Sequence, residues 1–250
     1  MKKVILYLVI VSIICCNYSC DKGNATDDNS AEELYARLER AFQLSSTSLL
    51  EQFLIDWNTS VSSNTVEQDD ITKTIYEIYK EFYCPLDLTI LGDWEWGNAL
   101  NSNSKYVVVQ NKIYYAVIER ELFDTWFWIE NVERSDSIND FRPQLNFGEN
   151  KVLYLLPKYE KALNMFLGTE ANDNNLMRYE FLRPQIPILR GHWGWYWHLA
   201  THPEISLILL DTDKTVAKIL FRVGFQGGEA ILEKNNNTWV ITESRATWIE

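Results

Sequence analysis

Residues 205–248 read ISLILLDTDKTVAKILFRVGFQGGEAILEKNNNTWVITESRATW. Four runs in it are rich in β-branched, aliphatic and aromatic residues: Ile205 to Leu210, Thr215 to Val223, Glu229 to Glu233 and Trp239 to Trp248. Between them stand Asp211-Thr212-Asp213-Lys214, Gly227-Gly228 and Asn235-Asn236-Asn237, residue types that accept the backbone angles of tight turns. Short extended runs separated by turn chemistry predict an antiparallel four-stranded meander.

Upstream the pattern is mixed. Tyr106 to Val109 and Ile113 to Ile118, with Gln110-Asn111-Lys112 between them, predict a hairpin. Pro157 to Leu167 reads as a helix with proline at its start and Gly168 just past its end. A shorter helix is expected from Asn174 to Leu182, stopping before Pro184. Nearer the N-terminus, three amphipathic helices are expected. Ser30 and Glu33 have capping-box spacing before Leu34, Leu38 and Phe42, and Ser48 and Glu51 repeat it before Phe53, Leu54 and Trp57. A third starts after Asp69 or Asp70, with Ile71, Ile75, Ile78 and Phe82 on its inner face.

Helical and strand segments are segregated rather than alternating, which predicts the α+β class. N-terminal helices would pack on an antiparallel, strongly curved sheet that ends in the meander. Helices first and a curved meander last resemble the cone-shaped NTF2-like fold over the first and last thirds of the chain. Such a fold hosts many unrelated activities and implies none of them.

The N-terminus carries an address. Lys2 and Lys3 precede an apolar run from Val4 to Ile14, and Asn17-Tyr18-Ser19 leads to Cys20. The apolar stretch is short for a membrane span, which needs about 20 residues. Charge, apolar run, small residue and cysteine in this order resemble a bacterial lipoprotein signal. The resemblance covers residues 1–20 and implies removal of 1–19 and lipidation of Cys20; a plain secretory signal is the alternative. It implies residence in the cell envelope, on a membrane held through the lipid, with inner or outer membrane left open. Residues 20–30 would form the lipidated end and a flexible tether, and 31–250 one globular domain. Cys84 would be the remaining cysteine, so no disulfide could form within that domain.

Net charge is −12 for 250 residues, and loss of Lys2 and Lys3 takes it to −14. That excludes nucleic acid as a natural partner and makes purely electrostatic attachment to anionic lipid unfavourable. GxSxG, P-loop, GxGxxG and CxxC patterns are absent, which leaves nucleotide-dependent and α/β-hydrolase chemistry without support. Carboxylate pairs such as Asp93 with Glu95 or Glu229 with Glu233 are expected by chance among 35 acids.

Two clusters carry candidate chemistry. All three histidines, His192, His198 and His202, fall within twelve residues, followed by Glu204. Imidazoles beside a carboxylate could form a His₃ or His₂Glu zinc site, although the spacing matches no zinc motif; hydrogen-bonded, partly buried histidines are the alternative. Ten tryptophans are the compositional oddity. Trp94 and Trp96, Trp126 and Trp128, and Trp193, Trp195 and Trp197 alternate, so each set would share one face of a strand. They would form a bulky core or an aromatic platform for sugar rings or a peptide. In the last cluster the opposite face would carry His192, Tyr196 and His198. Three functions follow as expectations: a non-catalytic domain that binds a glycan, a peptide or an envelope protein; a metal-assisted hydrolase of an envelope polymer through His192, His198, His202 and Glu204; or a structural assembly subunit.

Overall fold

The computed structural model describes residues 25–64, 69–92, 104–125, 135–169, 172–191 and 196–249. Cys20, His192, Trp193, Trp195 and the tryptophans at 94, 96, 126 and 128 lie outside them. In chain order the elements are α1 (Ala25–Gln43), α2 (Thr47–Ser60), α3 (Asp70–Phe82), β1 (Tyr106–Gln110), β2 (Lys112–Ile118), β3 (Asp136–Asn139), β4 (Lys151–Leu155), α4 (Pro157–Leu167), α5 (Asp173–Leu182), β5 (Leu189–Arg190), β6 (Trp197–His198), β7 (Glu204–Asp211), β8 (Val216–Val223), β9 (Gln226–Asn235) and β10 (Thr238–Ile249). The class is α+β. A six-stranded sheet runs β10-β9-β8-β7-β2-β3, and β1-β4 and β5-β6 form small sheets of their own.

The meander β7 to β10 is antiparallel throughout, as expected. The rest of the sheet is not. β2 runs parallel to β7, and β1 parallel to β4, so the architecture is mixed. Nor is the large sheet strongly curled, which removes the cone shape expected from the order of elements. Its central strands are covered on both faces. Ile208 and Leu210 face the helical core, while Leu207 and Leu209 join Ala116, Val216 and Phe123 on the other side. Phe123 belongs to a 3₁₀ segment, Arg120–Thr125, laid against β7.

The expected hairpin of β1 and β2 does not form. Tyr106 to Val109 are buried on both faces, the pattern of a parallel strand inside a fold, whereas β2 is mostly half-buried. β1 therefore leaves for β4 while β2 joins β3 and β7. Two helix starts also differ. α1 begins at Ala25, inside the expected tether, so Ser30 is a helix-interior residue and not a cap. α2 is capped by Ser46, whose hydroxyl accepts from the Leu49 amide at 3.3 Å; Ser48 is helical. The Asp69 cap of α3 holds as expected, its carboxylate accepting from the amides of Ile71 and Thr72. Such a cap contributes about 1 kcal/mol.

The core lies between the helices and the inner sheet face. Trp57 is fully buried, its ring stacked on Tyr159 with centroids 4.3 Å apart and its indole N–H donating to the Tyr154 carbonyl at 3.0 Å. Leu38, Phe53, Ile75, Ile78 and Phe82 complete the inner faces of α1, α2 and α3. Leu34, Phe42 and Ile71 flank them, half-buried. Burying one such large side chain is worth about 1.5–3 kcal/mol, so apolar periodicity is what seats these helices on the sheet.

Candidate functional site

Along the outer face of the sheet, reaching the start of α4, lies a cleft of about 1470 Å³. Its lining starts from strand pairing. Glu204 of β7 stands opposite Arg222 of β8, Arg222 opposite Gly227 of β9, and Gly227 opposite Trp248 of β10. One row of four residues thus crosses four strands. Two register shifts put it there. The first, between Ile205 and Leu207, inserts Ser206 and reverses which side β7 presents. Without it Glu204 would share the inner face of Ile208 and Leu210; with it, Glu204 joins the outer face. The second, between Ala246 and Trp248, turns Trp248 onto the same side as Arg245.

Gly227 is required beneath Trp248, because a Cβ at 227 would lie inside the indole ring. The Trp248 ring in turn receives the Arg222 guanidinium, 5.2 Å from the ring centroid. The aromatic wall continues with Tyr114 and Tyr196. Gly191 makes room for Tyr196 in the same way that Gly227 does for Trp248.

The loop carrying the histidines is held from behind. Thr201 is buried; its hydroxyl accepts from the Val108 amide at 2.8 Å and its own amide donates to the Val108 carbonyl at 2.7 Å. Tyr83 donates to the Thr201 carbonyl at 3.0 Å. Just after Glu204, the Gln110 side chain acts as a strand edge, donating to the Ile205 carbonyl and accepting from its amide, both at 2.8 Å. His198, His202 and Glu204 are therefore fixed through backbone atoms on both sides of them.

The chemistry of their contacts decides the tautomers. His198 Nδ1 lies 3.2 Å from Glu204 Oε2, and a carboxylate only accepts, so Nδ1 carries the proton. Its Nε2 lies 3.3 Å from Arg222 Nη1, which only donates, so Nε2 is the acceptor. His198 is thus a neutral imidazole between an anion and a cation. His202 donates from Nδ1 to the Arg222 carbonyl at 3.1 Å, which leaves Nε2 as the acceptor nitrogen. Complete burial pushes the His202 pKa down to about 4, so this ring is also neutral at neutral pH. For Glu204, burial opposes ionisation, but the hydrogen bond from His198 and the neighbouring histidine and Arg222 dipoles and charge outweigh it. Its carboxyl is held below the usual range, with 38% of the side chain still reaching solvent. The two imidazole centroids are 5.5 Å apart, and Tyr196 meets His198 edge-on at 5.1 Å.

A second polar cluster lies farther along the same face. Lys218, almost wholly buried, donates to Asp124 at 2.9 Å and to Glu229 at 2.8 Å, and Glu229 also receives Arg245. Burial disfavours the Lys218 charge, but both carboxylates more than restore it and hold the ammonium above its ordinary pKa. Glu233 pairs instead with Arg120 at 3.6 Å, so Glu229 and Glu233 do not act together. Glu160, in the first turn of α4, is held above the usual carboxylate range by desolvation and then by Glu204. Across the lining, five basic side chains stand against five acidic ones.

Among the sequence candidates, Tyr196, Trp197, His198 and Glu204 all line the cleft, and His202 lies buried behind His198. Trp197 stands at the edge of the cleft and is also tied to the helices behind it. Its indole N–H donates to the Gly168 carbonyl at 2.8 Å and its ring stacks on Tyr179 with centroids 5.4 Å apart. His192, Trp193 and Trp195 are outside the described residues. Arg222, Gly227, Trp248 and Lys218 were not singled out by sequence reasoning as site residues; the glycine pair ahead of the third run of the meander and the two cations of β8 are the signals that could have found them. No described helix is long and apolar enough to cross a membrane. No protein-family model, curated protein or solved structure matches the chain.

Proposed function

We propose that this chain is a cell-envelope lipoprotein, anchored through a lipid on Cys20, whose α+β domain binds a glycan in the outer-face cleft without catalysing a reaction on it. The observation that carries the reading is the balanced lining. In a chain of net charge −12, a cleft with equal numbers of basic and acidic side chains carries no net charge to select a large ionic ligand. Paired carboxylates and guanidinium groups instead present fixed acceptors and donors suited to hydroxyl groups. Trp248, Tyr114 and Tyr196 supply flat apolar faces for sugar rings. A volume of about 1470 Å³ exceeds the roughly 300–1,000 Å³ of sites for single small ligands, which fits several linked rings.

The test is a glycan array with the full chain in detergent, followed by calorimetry on the best oligosaccharide. Trp248→Ala should weaken binding at least ten-fold while leaving the unfolding midpoint within a few degrees. Binding that ignores this substitution, or an array with peptides alone as ligands, would overturn the glycan reading. The anchor is tested separately: a fatty-acid label should mark the wild type and not Cys20→Ala, and equal labelling would refute the site.

A further inference from the structure

The buried histidine pair beside Glu204 has a geometry that sugar binding does not use. One ligand atom from each of His198, His202 and Glu204 lies within 4.8 Å of the other two. His198 Nδ1 and Glu204 Oε2 are 3.2 Å apart. Two ligands on a tetrahedral ion with bonds of about 2.0–2.1 Å are separated by nearly that distance. His202 has the outer support that metal-binding imidazoles use, one ring N–H given to a backbone carbonyl and the other nitrogen left as the acceptor. All three residues are held in place by the hydrogen bonds of the Thr201 and Gln110 side chains to the backbone of Val108 and Ile205.

We propose that His198, His202 and Glu204 form a binding site for one divalent ion of the zinc class, and that Arg222 antagonises it. Binding is independent of the glycan reading, since none of the three ligands needs a sugar. The ion takes the place of the proton shared by His198 and Glu204. A neutral imidazole that ligates through Nδ1 carries its proton on Nε2, so the proton moves across the ring and none is lost or gained. That Nε2–H then faces the Arg222 Nη1 donor 3.3 Å away, where two donors cannot share one contact. The guanidinium must withdraw, and its charge also repels the incoming cation. Its seat over Trp248 gives it a place to remain. Three protein ligands leave the fourth position of a tetrahedral ion open to water.

The experiment is titration of the metal-stripped, untagged full chain in detergent with zinc chloride by calorimetry and with cobalt(II) by absorption. The expected result is one ion per chain and an intense tetrahedral-type cobalt spectrum. His198→Gln and Glu204→Gln should each weaken binding at least a hundred-fold, whereas Arg222→Gln should tighten it about ten-fold. Circular dichroism of each variant identifies any that fail to fold, and for those the wild-type cobalt spectrum and Arg222→Gln decide. Absence of stoichiometric binding in both wild type and Arg222→Gln overturns the proposal. So does unchanged affinity in folded His198→Gln and Glu204→Gln, or a weaker site in Arg222→Gln.

Discussion

Acid should destabilise this protein earlier than its carboxylates alone would, through His202. The ring is fully buried, donates to the Arg222 carbonyl at 3.1 Å and titrates at about 4 in the fold, against 6.5 for an ordinary histidine. Between those values the unfolded chain binds the extra proton and the folded one does not. His202 therefore contributes its full share of stability above pH 6.5, and that share is lost as pH falls toward 4. Integrating over the window gives a loss of about 2 kcal/mol from about pH 7 to pH 4.5. That is a sizeable part of the roughly 5–15 kcal/mol of a typical domain. Glu204, held below its ordinary 4.5, adds its loss chiefly below that pH, whereas Glu160, held above it, offsets part of the loss, so the histidine is read by difference between variants. The assay is urea unfolding followed by tryptophan fluorescence, at intervals across this range and with a chelator present. His202→Asn is the informative variant, because its amide nitrogen can still donate to the Arg222 carbonyl while nothing titrates. Its stability should be lower overall and should lack the wild-type loss of about 2 kcal/mol from pH 7 to 4.5. Equal slopes in the two proteins would falsify the buried neutral imidazole.

Other consequences are separable. Trp57→Phe removes the N–H bonded to the buried Tyr154 carbonyl and part of the stack on Tyr159, and chemical denaturation should show a loss of about 1–3 kcal/mol. Gly227→Ala drives a methyl into the Trp248 indole; oligosaccharide binding should fall at least as far as in Trp248→Ala, by calorimetry. Lys218→Met leaves Glu229 with Arg245 alone and Asp124 exposed to water, costing about 1–3 kcal/mol in urea melts at neutral pH. Burial pushes the Cys84 thiol up to about 12, so peptide mapping after iodoacetamide at mild alkaline pH should find Cys84 alkylated at least a hundred-fold more slowly than a free thiol.

The elements were legible wherever burial imposes a period. Ile75, Ile78 and Phe82 recur at helical spacing because one side of α3 must leave water, and the turns of the meander are written in Asp, Gly and Asn. The proline and glycine bounding α4 were equally local signals. Pairing was harder. Val107, Val108 and Val109 looked like half of a hairpin, yet their burial on both faces makes β1 a partner for β4, some forty residues away. Tryptophan alternation was also ambiguous, since Trp197 and its neighbour Tyr196 both line the cleft although Trp197 is buried and Tyr196 exposed.

By itself, then, the chain determined its acidity, its leading helices, its closing meander and the crowding of histidines ahead of Glu204. Those follow from composition and from periodicity over a few neighbouring residues. Only the tertiary structure decided that Glu204, Arg222, Gly227 and Trp248 share one row. The physical reason is the parity of strands. One extra residue at Ser206 and another near Thr247 move a side chain from core to cleft, and nothing in the local alternation of ISLILL announces which residue is the extra one.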